Sequence, residues 1–313
     1  MSARPPLEKS VDLWRALGSA GLIGLAHTLS VLGQVVRGLG DPTTARALGS
    51  EAIAIFRQQR ERWGLAWALS YLGMTLRDLE DFSLAHLFVE ESFALWQDLG
   101  SQAGLASAIR IRGNIAMRQG DYELAQHAFA DTLAICRKLT DTTAVARGLL
   151  ELGQATLCLD DRIQAKTYIQ EGYDLLRQSD TTSWQVDCLY YFGLLAQLEG
   201  DNQQARIFLD QVLISSRQLG PLWVRANGLM GLAGVEAADG HTRRAARLLG
   251  AADTQIEAAS SYWDAAESRY IARAVASAVA QLGEDAFAEA YDEGRLMTFE
   301  QAADYALETK PSA

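Results

Sequence analysis

The strongest constraint on this chain is a 40-residue repeat that runs through most of its 313 residues. A fixed period between about 20 and 50 residues is typical of solenoid arrays, in which each unit packs against its neighbours. An aspartate follows each repeated glycine by eight residues, and an alanine follows it by twelve. The glycines are Gly33, Gly73, Gly113, Gly153 and Gly193. The sequence therefore predicts one repeat array rather than several independent globular domains.

The sequence of each unit predicts two helices, which lie at about 23–38 and 42–59 in the first copy. Leu25, Leu29, Leu32 and Val36 have the 4, 3, 4 spacing of a single helical stripe. A glycine such as Gly33 inside a helix destabilises it by about 1 kcal/mol relative to alanine. Its repetition indicates that the second helix passes too close for a Cβ atom.

The junction between the two helices carries its own signals. Gly40 suits the left-handed residue that ends a helix, and Asp41 can cap the next one. Pro42 takes the first helical turn, where its missing N–H is harmless. We predict a lead with a half-repeat helix at 1–21, six repeats at 22–258 and a helical cap at 259–313. Three helices are expected in the cap, at about 262–282, 284–293 and 298–308.

The glycine, the alanine twelve residues later and the large apolar residues between them resemble the tetratricopeptide repeat. Their 40-residue spacing exceeds the usual ~34 and is similar to the long repeats of bacterial signal-transduction ATPases and kinesin-light-chain-like proteins. Segments 244–252 and 286–307 resemble the closing part of large bacterial LuxR-type transcriptional regulators. The resemblance implies an all-α fold: a right-handed α-solenoid of tetratricopeptide-like helix pairs with a C-terminal helical cap.

The amino-acid composition limits the kinds of partner that this chain is expected to bind. The net charge of −11 argues against direct binding of nucleic acid by this segment. Cys136, Cys158 and Cys188 form no CxxC pair and predict buried reduced thiols in a cytoplasmic protein. No uninterrupted apolar run reaches the ~18 residues that a membrane span requires, so no membrane partner is expected. No signal peptide is expected either.

No catalytic motif is recognisable. The sequence lacks a phosphate-binding GxxxxGK[ST] loop, a GxSxG nucleophile motif and an HExxH metal motif. The four histidines are scattered over different copies without a second ligand at metal-binding spacing. We predict no enzyme activity, no cofactor and no metal site.

One face of each first helix is free of the packing stripe. It comprises positions 27, 30, 34 and 37 and their equivalents at 40-residue intervals, and we call it the groove face. In tetratricopeptide arrays the corresponding face lines the concave groove. The residues predicted to bind a ligand or partner are Arg37, Trp67, Arg77, Arg110, Asn114, Arg147 and Tyr190.

Arginines beside aromatic residues suit an acidic peptide, a carboxylate or a phosphate. The alternative is that each arginine pairs with a nearby acid such as Asp78, Glu151 or Asp187. The preferred function is a non-catalytic sensor region of a bacterial signalling or transcription-regulating protein, which binds a protein, peptide or small inducer. A free-standing scaffold that bridges two proteins is the alternative, and dimerisation is left open. Arg112 stands where other copies carry Leu or Phe.

Overall fold

The computed structural model describes residues 3–177, 182–218, 222–259 and 265–308. Within these ranges the fold is all-α, with sixteen α-helices, a short 3₁₀ helix at Gly18–Gly21 and no strand. The helices are α1 Arg4–Ala16, α2 Leu22–Gly38, α3 Pro42–Gln59, α4 Arg62–Asp78, α5 Phe82–Asp98, α6 Gln102–Gln119, α7 Tyr122–Leu139, α8 Thr142–Cys158, α9 Arg162–Leu176, α10 Thr182–Glu199, α11 Asn202–Gln218, α12 Leu222–Ala238, α13 Thr242–Ala258, α14 Ala265–Leu282, α15 Glu284–Arg295 and α16 Phe299–Leu307. The predicted fold class, a tetratricopeptide-like α-solenoid, is confirmed.

The capping chemistry predicted for the junctions is present. The Asp41 carboxylate accepts a hydrogen bond from the Thr44 amide at 2.9 Å, and Asp121 and Asp201 cap α7 and α11 in the same way. Gly40 adopts a φ of 86°, as a left-handed helix end requires. In another copy Asp160 takes that conformation with a φ of 66°, although it carries a side chain.

The helix pairs pack closely at four of the five repeated glycines, whereas a Cβ on Gly33 would lie 3.4 Å from the Ala45 carbonyl oxygen, an ordinary contact. A Cβ on Gly73 would lie 2.5 Å from Val89 Cγ2, and one on Gly113 would lie 2.7 Å from Phe129 Cε1. Both distances are far shorter than ordinary carbon contacts, so the second helix leaves no room for a larger residue. The repeat glycine is therefore structural, as the pattern predicted.

Helix α1 packs against α2 much as the second helix of a pair packs against the following repeat, and the half-repeat at 1–21 stays a prediction. The Trp14 indole packs over Gly24, as the Trp96 indole packs over Gly104. The stretch Gly18–Gly38 is long and apolar enough by composition to cross a membrane, although polar residues such as His27 and Gln34 interrupt it. One such helix is weak evidence for a membrane, because the core helix of a soluble protein has the same composition. Leu25 and Leu29 of this stretch lie in the core.

The chain packs as two compact units, which we call unit 1 (1–148) and unit 2 (149–313). The division falls inside α8. The boundaries predicted at 21/22 and 258/259 follow the repeat pattern instead. In unit 1 the core lies between successive helix pairs and includes Leu29, Phe56 and Leu69.

In unit 2 the last repeat helix, α13, anchors the tail. Arg244 and Glu236 are both buried, and the Arg244 Nε donates to Glu236 Oε1 at 3.0 Å. The same guanidinium donates to backbone carbonyls at the end of α16, including that of Ala306 at 3.1 Å. Gly250 and Gly294 allow α13 and α15 to cross backbone to backbone. These contacts explain the Arg-Ala-Ala-Arg-Leu-Leu-Gly stretch in physical terms.

The three tail helices form close to their predicted ranges. Thr298 and Gln301 make a capping box at the start of α16. Gly283 separates α14 from α15 with a φ of 82°. Helix α15 runs two residues beyond its predicted end at 293, and it includes Gly294, whose small size serves the crossing with α13.

Candidate binding surface

The groove face of unit 1 is only partly covered. Four positions of this face are buried: Ser30, Ser70, Arg110 and Met117. The others keep part of their surface accessible: His27, Gln34, Arg37, Trp67, Met74, Arg77, Ser107, Asn114 and Arg147. Helices α2, α4 and α6 carry most of this surface, and the start of α8 contributes Arg147.

Two of the predicted arginines meet on one carboxylate. Arg37 Nη1 donates to Asp78 Oδ2 at 2.9 Å, and Arg77 Nη2 donates to Asp78 Oδ1 at 2.6 Å. The Arg77 and Asp78 side chains are 15% and 18% exposed, so the cluster is mostly but not fully buried. The alternative that these arginines pair with Asp78 is therefore confirmed. Two positive charges nevertheless share one negative charge.

The remaining unit 1 residues have different surroundings. Trp67 stacks edge-on against Tyr71, with ring centroids 4.7 Å apart. The Asn114 amide donates to the Arg110 carbonyl of its own helix at 3.0 Å. Arg110 is too deeply buried to act as a surface contact. The partly accessible members of the predicted set are Arg37, Trp67, Arg77, Asn114 and Arg147.

Arg112, which the pattern did not explain, has a plain structural role. Its guanidinium reaches outward to Glu90 at 2.8 Å and lies 5.3 Å from the centre of the Phe93 ring. The aliphatic stem takes the place that leucine occupies in other copies while the charge stays near solvent.

The groove face of unit 2 is covered almost completely. Tyr190, predicted as a partner contact, is 1% exposed, and its hydroxyl donates to Glu267 Oε1 of α14 at 2.9 Å. The other buried positions of this face are Leu150, Leu157, Asp187, Leu194, Gln197, Asn227, Met230, Gly234 and Ala237. Tyr190 therefore binds a helix of its own chain.

Helix α14 is fitted to this face by specific contacts. The Tyr270 ring fills the space above Gly234, where any Cβ would overlap it, and its hydroxyl donates to the Gly231 carbonyl at 3.1 Å. Arg269 donates to the Leu157 and Cys158 carbonyls at the end of α8, at 3.3 and 3.1 Å. A cation at a helix C-terminus is stabilised by the helix dipole.

Burial shifts the ionisation of several groups in unit 2. Burial raises the pKa of Asp187 to about 8, so its carboxyl group is largely protonated at neutral pH. Burial also raises the pKa of Tyr270. Cys136, Cys158 and Cys188 are free and buried, as predicted, and burial raises the pKa of the Cys188 thiol.

Two adjoining clefts flank α14 in unit 2, with volumes of about 250 and 220 Å³. Leu198, Tyr270 and Arg273 line both of them. Sequence reasoning missed these clefts because the tail was interpreted as a cap beyond the array. One signal was available: the sixth copy carries Gly234 and Ala237 at groove-face positions where earlier copies carry larger residues. Among the described residues no group of three or more His, Cys, Asp or Glu side chains could hold a metal ion.

No protein-family model matches the sequence, and no curated protein matches it. Solved structures do match the fold. RapI without ligand is 15% identical, with a TM-score of 0.62 over 86% of this chain and 94% of RapI. A Rap protein complexed with Competence and Sporulation Factor is 13% identical, with a TM-score of 0.60 over 92% of this chain and 77% of that one.

A third match is a signal-transduction ATPase with a tetratricopeptide repeat sensor, from Pyrococcus horikoshii. It is 14% identical, with a TM-score of 0.53 over 93% of this chain and 49% of that protein. These neighbours show that the chain has a tetratricopeptide-like helical repeat fold. At such low identity the likeness concerns the fold alone.

Proposed function

We propose that this chain is a non-catalytic protein-binding module and that the groove face of unit 1 holds an acidic peptide segment of its partner. The observation that carries the proposal is the Arg37–Asp78–Arg77 cluster, in which two guanidinium groups share one carboxylate. Arg37 Nε is buried and has no hydrogen-bond partner among the described residues. A further carboxylate at this site would complete the charge balance and supply an acceptor.

The surrounding surface suits a peptide. Trp67 and Tyr71 provide an aromatic platform on α4, the helix that also carries Arg77. Aromatic and arginine side chains are enriched at the centres of protein interfaces. The names of two structural neighbours support a binding role for the groove face. One neighbour is a Rap protein in complex with Competence and Sporulation Factor, and the other contains a tetratricopeptide repeat sensor.

We further propose a sensor role within a cytoplasmic bacterial signalling or transcription-regulating protein. The fold shared with a signal-transduction ATPase supports this role. One neighbour is named as an aspartyl phosphate phosphatase, at 13% identity and a TM-score of 0.54, but fold likeness at that level carries no activity to this chain. An ATPase or helix-turn-helix domain in the same reading frame would favour the sensor over a free-standing scaffold.

The peptide proposal is tested by fluorescence anisotropy with two labelled 12-residue peptides. One alternates glutamate with leucine, and the other replaces every glutamate by lysine. We expect only the acidic peptide to bind, with an affinity that falls as salt rises. The double variant Arg37→Gln with Arg77→Gln should bind it about tenfold more weakly, since hydrogen bonds to charged groups are lost.

The matched control is Arg57→Gln with Arg62→Gln. These two arginines also lie in unit 1 and pair with Glu91 and Asp98, but their side chains are about half exposed and lie off the groove face. Equal binding of the lysine peptide, or an equal loss in the control variant, would contradict the proposal. Arg110 is left unchanged because its burial would confuse binding with folding.

A further inference from the structure

The two clefts beside α14 combine positive charge with an apolar floor. Arg269 and Arg273 of α14 line them, and neither forms an ion pair with a described residue. Arg269 donates only to neutral backbone carbonyls. The third arginine of the clefts, Arg162, is balanced by Asp160 at 3.2 Å. Two guanidinium charges thus remain uncompensated, in a chain whose net charge is −11.

A buried polar atom at the cleft wall also points to a ligand. Gln197 is 9% exposed, and its Nε2 donates to the Gly231 carbonyl at 2.8 Å. Its Oε1 is buried and has no hydrogen-bond partner among the described residues. Buried polar groups in proteins nearly always have a partner, so this acceptor is suited to a donor on a bound molecule.

The remaining lining is suited to the apolar part of a small molecule. Leu198 and Tyr270 border both clefts, and Ala237 and Ala274 line the larger one. Sites for small molecules are typically apolar concavities with a few polar groups that fix orientation. A volume of about 250 Å³ fits a molecule of about one aromatic ring with its substituents.

We propose that these clefts bind a small organic anion. Its carboxylate or phosphate group pairs with Arg269 and Arg273, and its apolar body lies on Leu198 and Tyr270. A hydrogen-bond donor on the ligand meets Gln197 Oε1. The site lies wholly in unit 2 and does not depend on the peptide site proposed for unit 1, so either proposal can fail alone.

The test uses benzoate and phenyl phosphate as probes, with benzamide as the neutral counterpart of benzoate. Binding to the full chain is followed by titration in two-dimensional NMR. We expect saturable shifts with at least one anion and at least fivefold weaker binding of benzamide. Arg273→Gln should weaken anion binding about tenfold, because a charge-assisted hydrogen bond is lost.

Arg137→Gln serves as the control, since it removes the same charge from an exposed position on α7 in unit 1. It should leave the affinity unchanged. Binding of only one of the two anions identifies the preferred group and supports the site. Saturable binding by neither anion, equal binding of benzamide, or an unchanged affinity in Arg273→Gln with an unaltered thermal melt would each overturn the proposal.

Discussion

The groove faces of the two units are built from the same register positions but have different surroundings. In unit 1, Asn114 keeps part of its surface accessible, whereas its equivalent in the sixth copy, Gly234, lies beneath the Tyr270 ring. Helix α14 supplies that ring and covers the face in unit 2. The comparison shows that the departures of the last copy from the repeat pattern make room for the tail.

The polar groups of the two faces are satisfied in different ways. In unit 2, Tyr190 and Glu267 bond to each other in a buried setting, and Tyr270 bonds to the Gly231 carbonyl. In unit 1, Asp78 is shared by two arginines that remain partly exposed. We infer that the groove face of unit 2 chiefly stabilises the fold, while that of unit 1 is the surface available to a macromolecular partner.

The largest effect is expected where the tail is anchored in unit 2. Arg244→Ala removes one partner of the buried Glu236, which keeps Arg206 at 3.1 Å, and it removes the donor to the end of α16. The variant loses several hydrogen bonds of a buried charged group, each worth about 1.5–3 kcal/mol, so we expect a loss of about 3 kcal/mol or more. Urea unfolding, monitored by circular dichroism, should show this loss in the free energy of unfolding.

The neighbouring Arg243→Ala is the matched control for that variant. Arg243 pairs with Glu289 and Glu293 on an exposed surface. Exposed pairs contribute at most about 1 kcal/mol. If both variants lost the same stability, the buried anchor would have no special role in holding the tail.

A second variant tests the cover of the groove face directly. Gly234→Val places methyl groups where the Tyr270 ring lies, so α14 must shift. Overpacking of this kind typically destabilises by about 1–3 kcal/mol, and we expect the upper end because the whole helix is displaced. A limited-proteolysis assay should then cut α14 faster than in the wild type.

Asn114→Val is the matched control, because it introduces the same valine side chain at the equivalent position of unit 1. Because that position keeps part of its surface accessible, the change should alter the free energy of unfolding by less than about 1 kcal/mol. Similar losses in both variants would mean that the two faces are equally covered, which would remove the basis of the comparison.

These residues also show how far the sequence could predict the structure. The period, the caps at Asp41 and Asp121 and the close packing at Gly73 were predictable because they depend on local chemistry repeated in register. The burial of Tyr190 was not, because it depends on a helix about 77 residues further along the chain. The pairing of Arg37 with Asp78 could be proposed only as one alternative, since it depends on side-chain geometry between copies.

A buried carboxyl group gives a further contrast between the units, in the way that stability depends on pH. Asp187 in unit 2 has a pKa of about 8 in the fold, against 3.8 as the ordinary value. The folded state therefore holds a proton that the unfolded state has released between these values. Stability contributed by this group falls as pH rises from about 4 to 8, by up to about 1.4 kcal/mol per pH unit.

Asp187→Asn should remove this fall, because the amide does not ionise. Urea unfolding at pH 5, 6, 7 and 8 should show the variant gaining stability relative to the wild type as pH increases. The equivalent groove-face positions in unit 1 are His27, Trp67, Ser107 and Arg147, so no carboxyl group there imitates the effect. Parallel pH profiles for the two proteins would mean that Asp187 is solvated in the folded state.

The smallest effect is expected for Arg112→Leu, which restores the repeat pattern in unit 1. The variant loses an exposed ion pair with Glu90 and a contact with the Phe93 ring, each worth at most about 1 kcal/mol. It gains a leucine side chain at a half-buried packing position. We expect the free energy of unfolding of Arg112→Leu to change by less than about 1 kcal/mol. The reverse change at the equivalent position of the second copy, Leu72→Arg, should destabilise the fold strongly, because Leu72 is only 3% exposed. A loss above about 2 kcal/mol in Arg112→Leu would show that a partly exposed arginine in unit 1 can be as important to the fold as the buried Arg244 of unit 2.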